Sequence, residues 1–395
     1  MSGELRFLMR TYEPPKIGFA RGRGAHLFDR AGRRYLDFIA GLGVNILGHC
    51  PPPLVRAVSD QARRLIHASN LYRIDLQVRL AERLCEASFA DRVFFCNSGA
   101  EAIETIIKAA RLYAWKRGER RRRRIVAFEG SFHGRTYGAL SATGRRSARK
   151  GFEPLLPGIV FACFNNLASV EALIDDRVCA VLVEPVLGEG GVVPATRSFL
   201  AGLRRLCDEH GTLLAFDEIQ CGLSRIGLPF AYQRYGVDPD LLALAKGLAG
   251  GLPMGAVLAR EPVASAFEPG THGSTFGGNP LSCAAALVVC RKVLNPRFAD
   301  KVARLGRYFL DRLNERLANA PLVREIRGIG LMVGIELNEP GAPYVEACRR
   351  RGLLINCAAE RVLRLLPPLI VTRQQCRTAA KILGDVLNEK TKVER

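Results

Sequence analysis

From about residue 90 to residue 260, short apolar runs alternate with stretches of helical spacing. The runs are Val93-Phe94-Phe95, Ile125-Val126-Ala127-Phe128, Ala180-Val181-Leu182-Val183 and Leu213-Leu214-Ala215-Phe216, each bounded by polar or glycine-rich turns. Unbroken apolar runs of this length predict strands buried on both faces. Helices between such strands predict an α/β fold with a mostly parallel sheet. In these sheets ligands sit beyond the carboxyl ends of the strands. The last hundred residues read differently. Helical stretches at Lys301–Ala318 and Tyr344–Arg351 flank short strands such as Leu331–Glu336, with Gly328-Ile329-Gly330 and Pro367-Pro368 as punctuation. A smaller α+β domain is expected there. The segment Ala25–Leu36 reads as a hairpin. The expected division is an N-terminal segment over 1–50 that packs with the small domain, a large domain over 51–290, and a small domain over 291–395.

Length and composition fit this picture. The chain has 395 residues, of which 48% are hydrophobic and 24% charged, enough for two cores and too apolar for disorder. No apolar run approaches the about 20 residues of a membrane span. The opening Met1–Arg6 has no apolar segment of the secretory kind. A soluble, cytoplasmic protein is expected. The twelve cysteines are scattered, mostly in apolar context, and no Cys-x-x-Cys pair occurs. Buried free thiols in a reducing compartment are expected, and no metal centre.

Charge adds one question. The formal net charge is +20, and 48 of the 58 basic residues are arginine. Arg120–Arg124 form an unbroken run. A basic nucleic-acid-binding surface is one reading. A solvated loop between a helix and the strand at Ile125 is the other. No aromatic interleaving or RNA-recognition signature accompanies the run, so no nucleic-acid partner is expected.

Three features carry candidate chemistry. After Val93-Phe94-Phe95 comes Asn97-Ser98-Gly99-Ala100-Glu101, followed by apolar residues at helical spacing. Ser98 and Glu101 suit a capping box. A small-residue turn opening a helix also suits an anion, because free N–H groups and the helix dipole converge there. Second, Leu213–Phe216 ends abruptly in Asp217-Glu218. Acids are costly inside a buried strand, so they mark its carboxyl end, as caps, as ion-pair partners or as partners of a cationic ring. Third, Lys246 ends another apolar run, before Gly247, and is the sole lysine between Lys150 and Lys292. A lysine that burial strips of its proton is what a Schiff base requires. A lysine reaching to solvent along its stem is the alternative.

The combination is more specific than its parts. Asn97–Ala102, Ser131–Thr136, Val183-Glu184-Pro185 with Gly188–Gly191, Asp217–Gln220, Ala245-Lys246-Gly247 and His272–Pro280 occur in an order that resembles the class III aminotransferases, which use pyridoxal phosphate. The resemblance runs from about Tyr12 to about Leu387. It implies a fold-type-I transferase, with a large domain around a mostly parallel sheet and a smaller α+β domain. Within the class the chain is most similar to the acetylornithine aminotransferases, a grouping that Arg364–Leu369 also fits. The implied reaction moves the terminal amino group of N2-acetylornithine to 2-oxoglutarate. N-succinylornithine, N-succinyldiaminopimelate, 4-aminobutyrate and a carrier-protein-linked lysine-pathway substrate remain alternative donors.

The resemblance also implies roles. Lys246 would carry pyridoxal phosphate and shuttle the proton, and Asp217 would pair with the ring nitrogen. Phe132 and Ile219 would enclose the ring, and Gln220 would lie near its hydroxyl. Ser98, Gly99 and Ala100 would hold the phosphate, completed by Thr275 from the second subunit of a homodimer, with Ser274 beside the substrate. Arg135 would grip the carboxylate remote from the reacting amine. Arg364 would grip the α-carboxylate of glutamate or 2-oxoglutarate, and Glu189 would mask it while a terminal amine is bound. Some positions depart from the common pattern: Ala100 where Thr is frequent, Ile103 for Asn, Gly222–Gly227, and His49-Cys50-Pro51. None removes a catalytic group.

Overall fold

The computed structural model describes residues 7–13 and 17–388. The opening Met1–Arg6 and the last seven residues assigned to the small domain lie outside the described residues. Strands β1 (Phe19–Arg23), β2 (His26–Asp29) and β3 (Arg34–Asp37) form an antiparallel meander. The central sheet is built from β4 (Arg92–Cys96), β5 (Arg124–Phe128), β6 (Ile159–Ala162) and β7 (Val178–Val183). After a small ribbon of β8 (Val186–Leu187) and β9 (Val193–Pro194), it continues with β10 (Leu213–Asp217), β11 (Leu241–Leu244) and β12 (Gly255–Ala259). Its order is β4-β12-β11-β10-β7-β5-β6. β12 is antiparallel to both neighbours, and every other pairing is parallel. The reversal of β12 restores β4 to the direction of the rest, so the carboxyl ends of β4, β5, β7, β10 and β11 share one edge.

The central strands are apolar because both faces are covered. β7 and β10 are buried along their whole length. One covering helix, Gly99–Lys116, starts where Ser98 Oγ accepts the Glu101 N–H at 3.2 Å. Its Ile103, Ile106, Ile107, Ala110 and Ala114 point inward, as the 3.6-residue spacing requires. The capping box closes differently from expectation: the Glu101 carboxylate accepts the N–H of Asn97, one residue before the cap.

The C-terminal part contains the antiparallel sheet β13 (Val323–Ile329), β14 (Met332–Leu337), β17 (Val362–Leu365) and β16 (Asn356–Ala358), in the order β13-β14-β17-β16. The short β15 (Leu353–Leu354) leaves that sheet and pairs in parallel with β3, Leu353 opposite Leu36. The helix expected at Lys301–Ala318 spans Pro296–Leu317. It begins five residues earlier because Asn295 caps it and Pro296 takes the first helical position. The expected strand at Leu331 begins one residue later, and Tyr344–Arg351 is the helix Ala342–Arg350. β6 and β12 are additions to the sequence reading.

The arginine run is used inside the fold. Arg122 is mostly buried and donates to the carbonyls of Val178 at 2.9 Å and His210 at 2.7 Å. Arg121 pairs with Asp176, Arg124 with Asp175, and Arg120 stacks on Trp115. The run ties together the amino ends of β5, β7 and β10. All twelve cysteines are free. Eight are buried, but Cys50 and Cys163 are exposed, which corrects the expectation of burial for those two. Among the described residues no helix is long and apolar enough to cross a membrane.

Candidate active site

Three adjacent parallel strands deliver three ionisable side chains to one place. Phe216 pairs with Val183, so Asp217 and Glu184 leave β10 and β7 side by side. Asp217 pairs with Ala243 on β11, and Lys246 follows three residues later. Ser98, Gly99, Ala100, Phe132, Asp217, Ile219, Gln220, Glu189 and Lys246 all line one cavity of about 370 Å³. Residues separated by up to 148 positions thus converge at the carboxyl edge, where a parallel sheet places ligands.

Asp217 is buried and oriented from two sides. Its Oδ1 accepts the Ile219 N–H at 3.0 Å, and its Oδ2 lies 2.7 Å from Nδ1 of the buried His133. Glu184 accepts the N–H groups of Phe132 at 2.8 Å and Gly188 at 3.0 Å. Burial, then the neighbouring Asp217, push its pKa up to about 7. Lys246 opens a short 3₁₀ turn with φ of +40°, a left-handed conformation that lysine adopts at a cost of about 1–3 kcal/mol. Burial pulls its pKa down, Asp217 and Glu184 oppose that, and Arg364 adds to it. The amine is therefore easier to deprotonate than an exposed lysine.

At the other side of the cavity the helix Gly99–Lys116 begins. The N–H groups of Gly99 and Ala100 belong to its first turn and have no intrahelical acceptor. A Cβ at Gly99 would come within 2.8 Å of Ile219 Cδ1, so glycine lets the phosphate-type turn close onto the Ile219 side chain.

Arg364 does not line the cavity; it is buried behind it on β17. Its Nη1 lies 2.6 Å from Glu189 Oε1 and donates to Gln220 Oε1 at 3.1 Å, and its Nε donates to Asn356 Oδ1 at 3.3 Å. Arg135 is exposed, its guanidinium carbon 5.5 Å from the centroid of the Phe132 ring. Ser274 accepts from Asn97 Nδ2 at 3.3 Å and from the Gly277 N–H at 3.0 Å, and Thr275 is exposed; neither lines this chain's cavity. Glu184 and His133 were not singled out from the sequence. Glu184 gave the same signal as Asp217, an apolar strand ending in an acid. His133 gave none, because its partner lies 84 residues away.

A buried lysine of lowered basicity, a buried acid on the neighbouring strand, a helix start with free N–H groups and a cavity lined by Phe132 and Ile219 fit pyridoxal phosphate. Together with the sheet order they define a pyridoxal-phosphate-dependent enzyme of fold type I. The class-III aminotransferase family model matches residues 8–387, and the chain belongs to that family. It is therefore a transaminase with pyridoxal phosphate as cofactor. A protein named acetylornithine aminotransferase from Caldanaerobacter subterraneus is 46% identical over 387 residues, 98% of each chain. One from Aquifex aeolicus is 45% identical over 97% of this chain and 100% of its own length. The crystal structure of N-acetylornithine aminotransferase from Stenotrophomonas maltophilia superposes with a TM-score of 0.84 at 37% identity, covering 95% of this chain and 96% of that one. Ornithine aminotransferase from Toxoplasma gondii gives a TM-score of 0.93 at 34% identity, over 97% and 93%.

Proposed function

We propose that this transaminase moves the terminal amino group of N2-acetylornithine to 2-oxoglutarate, giving N-acetylglutamate 5-semialdehyde and glutamate. The observation that carries the reading is the Glu189–Arg364 ion pair at 2.6 Å, with the arginine side chain only 1% exposed. A free arginine there would draw any α-carboxylate to the reacting centre and favour α-amino chemistry. A neutralised one admits a terminal amine with nothing charged beside it. Substrates carrying the second carboxylate would displace Glu189 and use the bidentate guanidinium. The names of the relatives from Caldanaerobacter subterraneus and Aquifex aeolicus support the acetylated donor.

When bound, pyridoxal phosphate supplies the electron sink for cleavage of the C–H bond beside the amine. The chain's own residues do the rest. Asp217, oriented by His133 and the Ile219 N–H, would hold the ring nitrogen protonated. Gly99 and Ala100 would bind the phosphate. Lys246 Nζ would take the proton from the substrate carbon. Arg135, at the rim beside Phe132, would hold the donor's remote carboxylate. A homodimer would supply Thr275 to the partner's phosphate site. The 57% exposure of Phe276 and 87% of Leu71 support a covering copy there. We infer a cytoplasmic enzyme.

A panel of amino donors with 2-oxoglutarate, read as glutamate formed, tests this. N2-acetylornithine should give the highest kcat/KM among acetylornithine, succinylornithine, succinyldiaminopimelate, 4-aminobutyrate and ornithine. A higher value for any other overturns the donor assignment.

A further inference from the structure

Glu189 holds two arginines at once. Its Oε1 faces Arg364 Nη1 at 2.6 Å, and its Oε2 lies 3.7 Å from Arg145 Nη1. The settings differ: the Arg364 side chain is 1% exposed, that of Arg145 is 35%. Arg145 is placed by close backbone packing. The N–H of the preceding Gly144 donates to the carbonyl and hydroxyl of Ser131, both at 3.0 Å, and a Cβ at Gly144 would sit 2.0 Å from the Phe128 carbonyl oxygen. On the other side, a Cβ at Gly190 would sit 2.8 Å from the Gly130 carbonyl oxygen. Both loops thus close against the same stretch, Phe128–Ser131, and bring Arg145 to the outer oxygen of Glu189.

We propose that Arg145 is a positioning residue for the acceptor half of the reaction: it receives Glu189 when a substrate carboxylate takes Arg364. The inference rests on the reading of Arg364 given above. The hydrogen-bonding partners of Arg364 other than Glu189, Gln220 and Asn356, are neutral amides. A substrate carboxylate arriving at Arg364 meets Glu189 as a like charge, so Glu189 has to leave. Moving it to solvent abandons an ion pair. Moving it onto Arg145 keeps its charge matched and keeps it away from the incoming anion. Arg145 thereby lowers the cost of opening the pair, and it acts only on substrates that carry a carboxylate beside the reacting carbon.

The test uses the holoenzyme and follows the two half-reactions separately. Arg145→Gln lowers the efficiency of the glutamate half-reaction relative to the donor half-reaction by about fivefold, or about 1 kcal/mol. Glutarate, a dicarboxylate with neither amine nor keto group, binds about fivefold more weakly to Arg145→Gln by calorimetric titration. In a Glu189→Gln background both effects of Arg145→Gln disappear, because no carboxylate remains to be received. Additive effects of the two substitutions, or equal slowing of both half-reactions, overturn the proposal. Glutarate binding by the parent enzyme that ignores Arg145 overturns the proposal alone. Failure of the parent enzyme to bind glutarate overturns the reading of Arg364 and this proposal with it.

Discussion

Arg225 is a buried cation that pairs with no acid among the described residues. Its side chain is fully buried, its Nη1 donates to the carbonyls of Leu331 at 3.0 Å and Pro367 at 2.5 Å, and Nε and Nη2 have no hydrogen-bond partner among the described residues. Burial pulls its pKa down to about 9. A depression of that size corresponds to roughly 5 kcal/mol against the charged form. The two hydrogen bonds from a charged donor return about 1.5–3 kcal/mol each. The terms nearly cancel, so the guanidinium contributes little net stability. Its effect is positional: Pro367 follows Arg364 by three residues, and Leu331 lies in the turn between β13 and β14, the latter paired with Arg364's own strand. Arg225→Met removes the burial penalty and leaves two carbonyls without a donor, a cost of about 1–3 kcal/mol each. Urea unfolding at fixed protein and cofactor concentration should therefore place the variant within about 2 kcal/mol of the parent. The KM for 2-oxoglutarate should rise severalfold while that for the donor moves less, since in the proposed reaction only the former engages Arg364. A loss above about 4 kcal/mol with an unchanged KM for 2-oxoglutarate would refute the argument and make Arg225 a plain stabiliser.

Three further outcomes follow from the geometry. Lys246→Ala should remove the borohydride-reducible link between protein and cofactor; a persisting link would place the Schiff base on another lysine. Among the five arginines of the run, Arg122→Ser should cost about 1–3 kcal/mol on thermal unfolding, because it strands the His210 carbonyl, while the Val178 carbonyl keeps only its bond from Thr212 Oγ1. Serine at Arg120, Arg121 and Arg123 should cost little, and none should alter the donor KM at physiological salt. Glu218 accepts the N–H groups of Ala231 at 2.6 Å and Tyr232 at 2.7 Å, and burial pushes its pKa up to about 8. The folded chain holds that proton where the unfolded chain has lost it, so stability should fall from about pH 5 to pH 8. Glu218→Gln should flatten that fall; an identical pH profile would show that the carboxyl titrates normally.

What the sequence made legible was chemistry at strand ends. An acid or a lysine closing an apolar run is expensive anywhere but at a site, and Asp217 and Lys246 stood out on that ground. Glu184 closed β7 in the same way but was followed by proline, which reads as an ordinary strand stop. β12 was not legible, because Gly255-Ala256-Val257-Leu258-Ala259 is a short run rich in small residues, and its burial comes from its neighbours. Arg145 and Arg225 were invisible for a different reason. Among 48 arginines nothing local separates a surface charge from one fixed, like Arg225, by backbone atoms 106 or 142 residues away, or set, like Arg145, against the distant Glu189.

The same distance rule explains why charge balance at the site is a property of the fold. Lys246 loses basicity through burial, and two acids from neighbouring strands oppose the loss. If both acids were ionised, they would hold the amine's proton in place. Glu184, beside Asp217 and cut off from water, has its pKa pushed up to about 7, so near neutral pH it opposes loss of the amine's proton less than a fully ionised acid would. The proposed pairing of Asp217 with a cationic ring nitrogen is thereby compatible with a lysine that burial makes easier to deprotonate. The Phe216–Val183 pairing that sets the two acids side by side is thus what tunes an amine whose own chain neighbours are alanine and glycine.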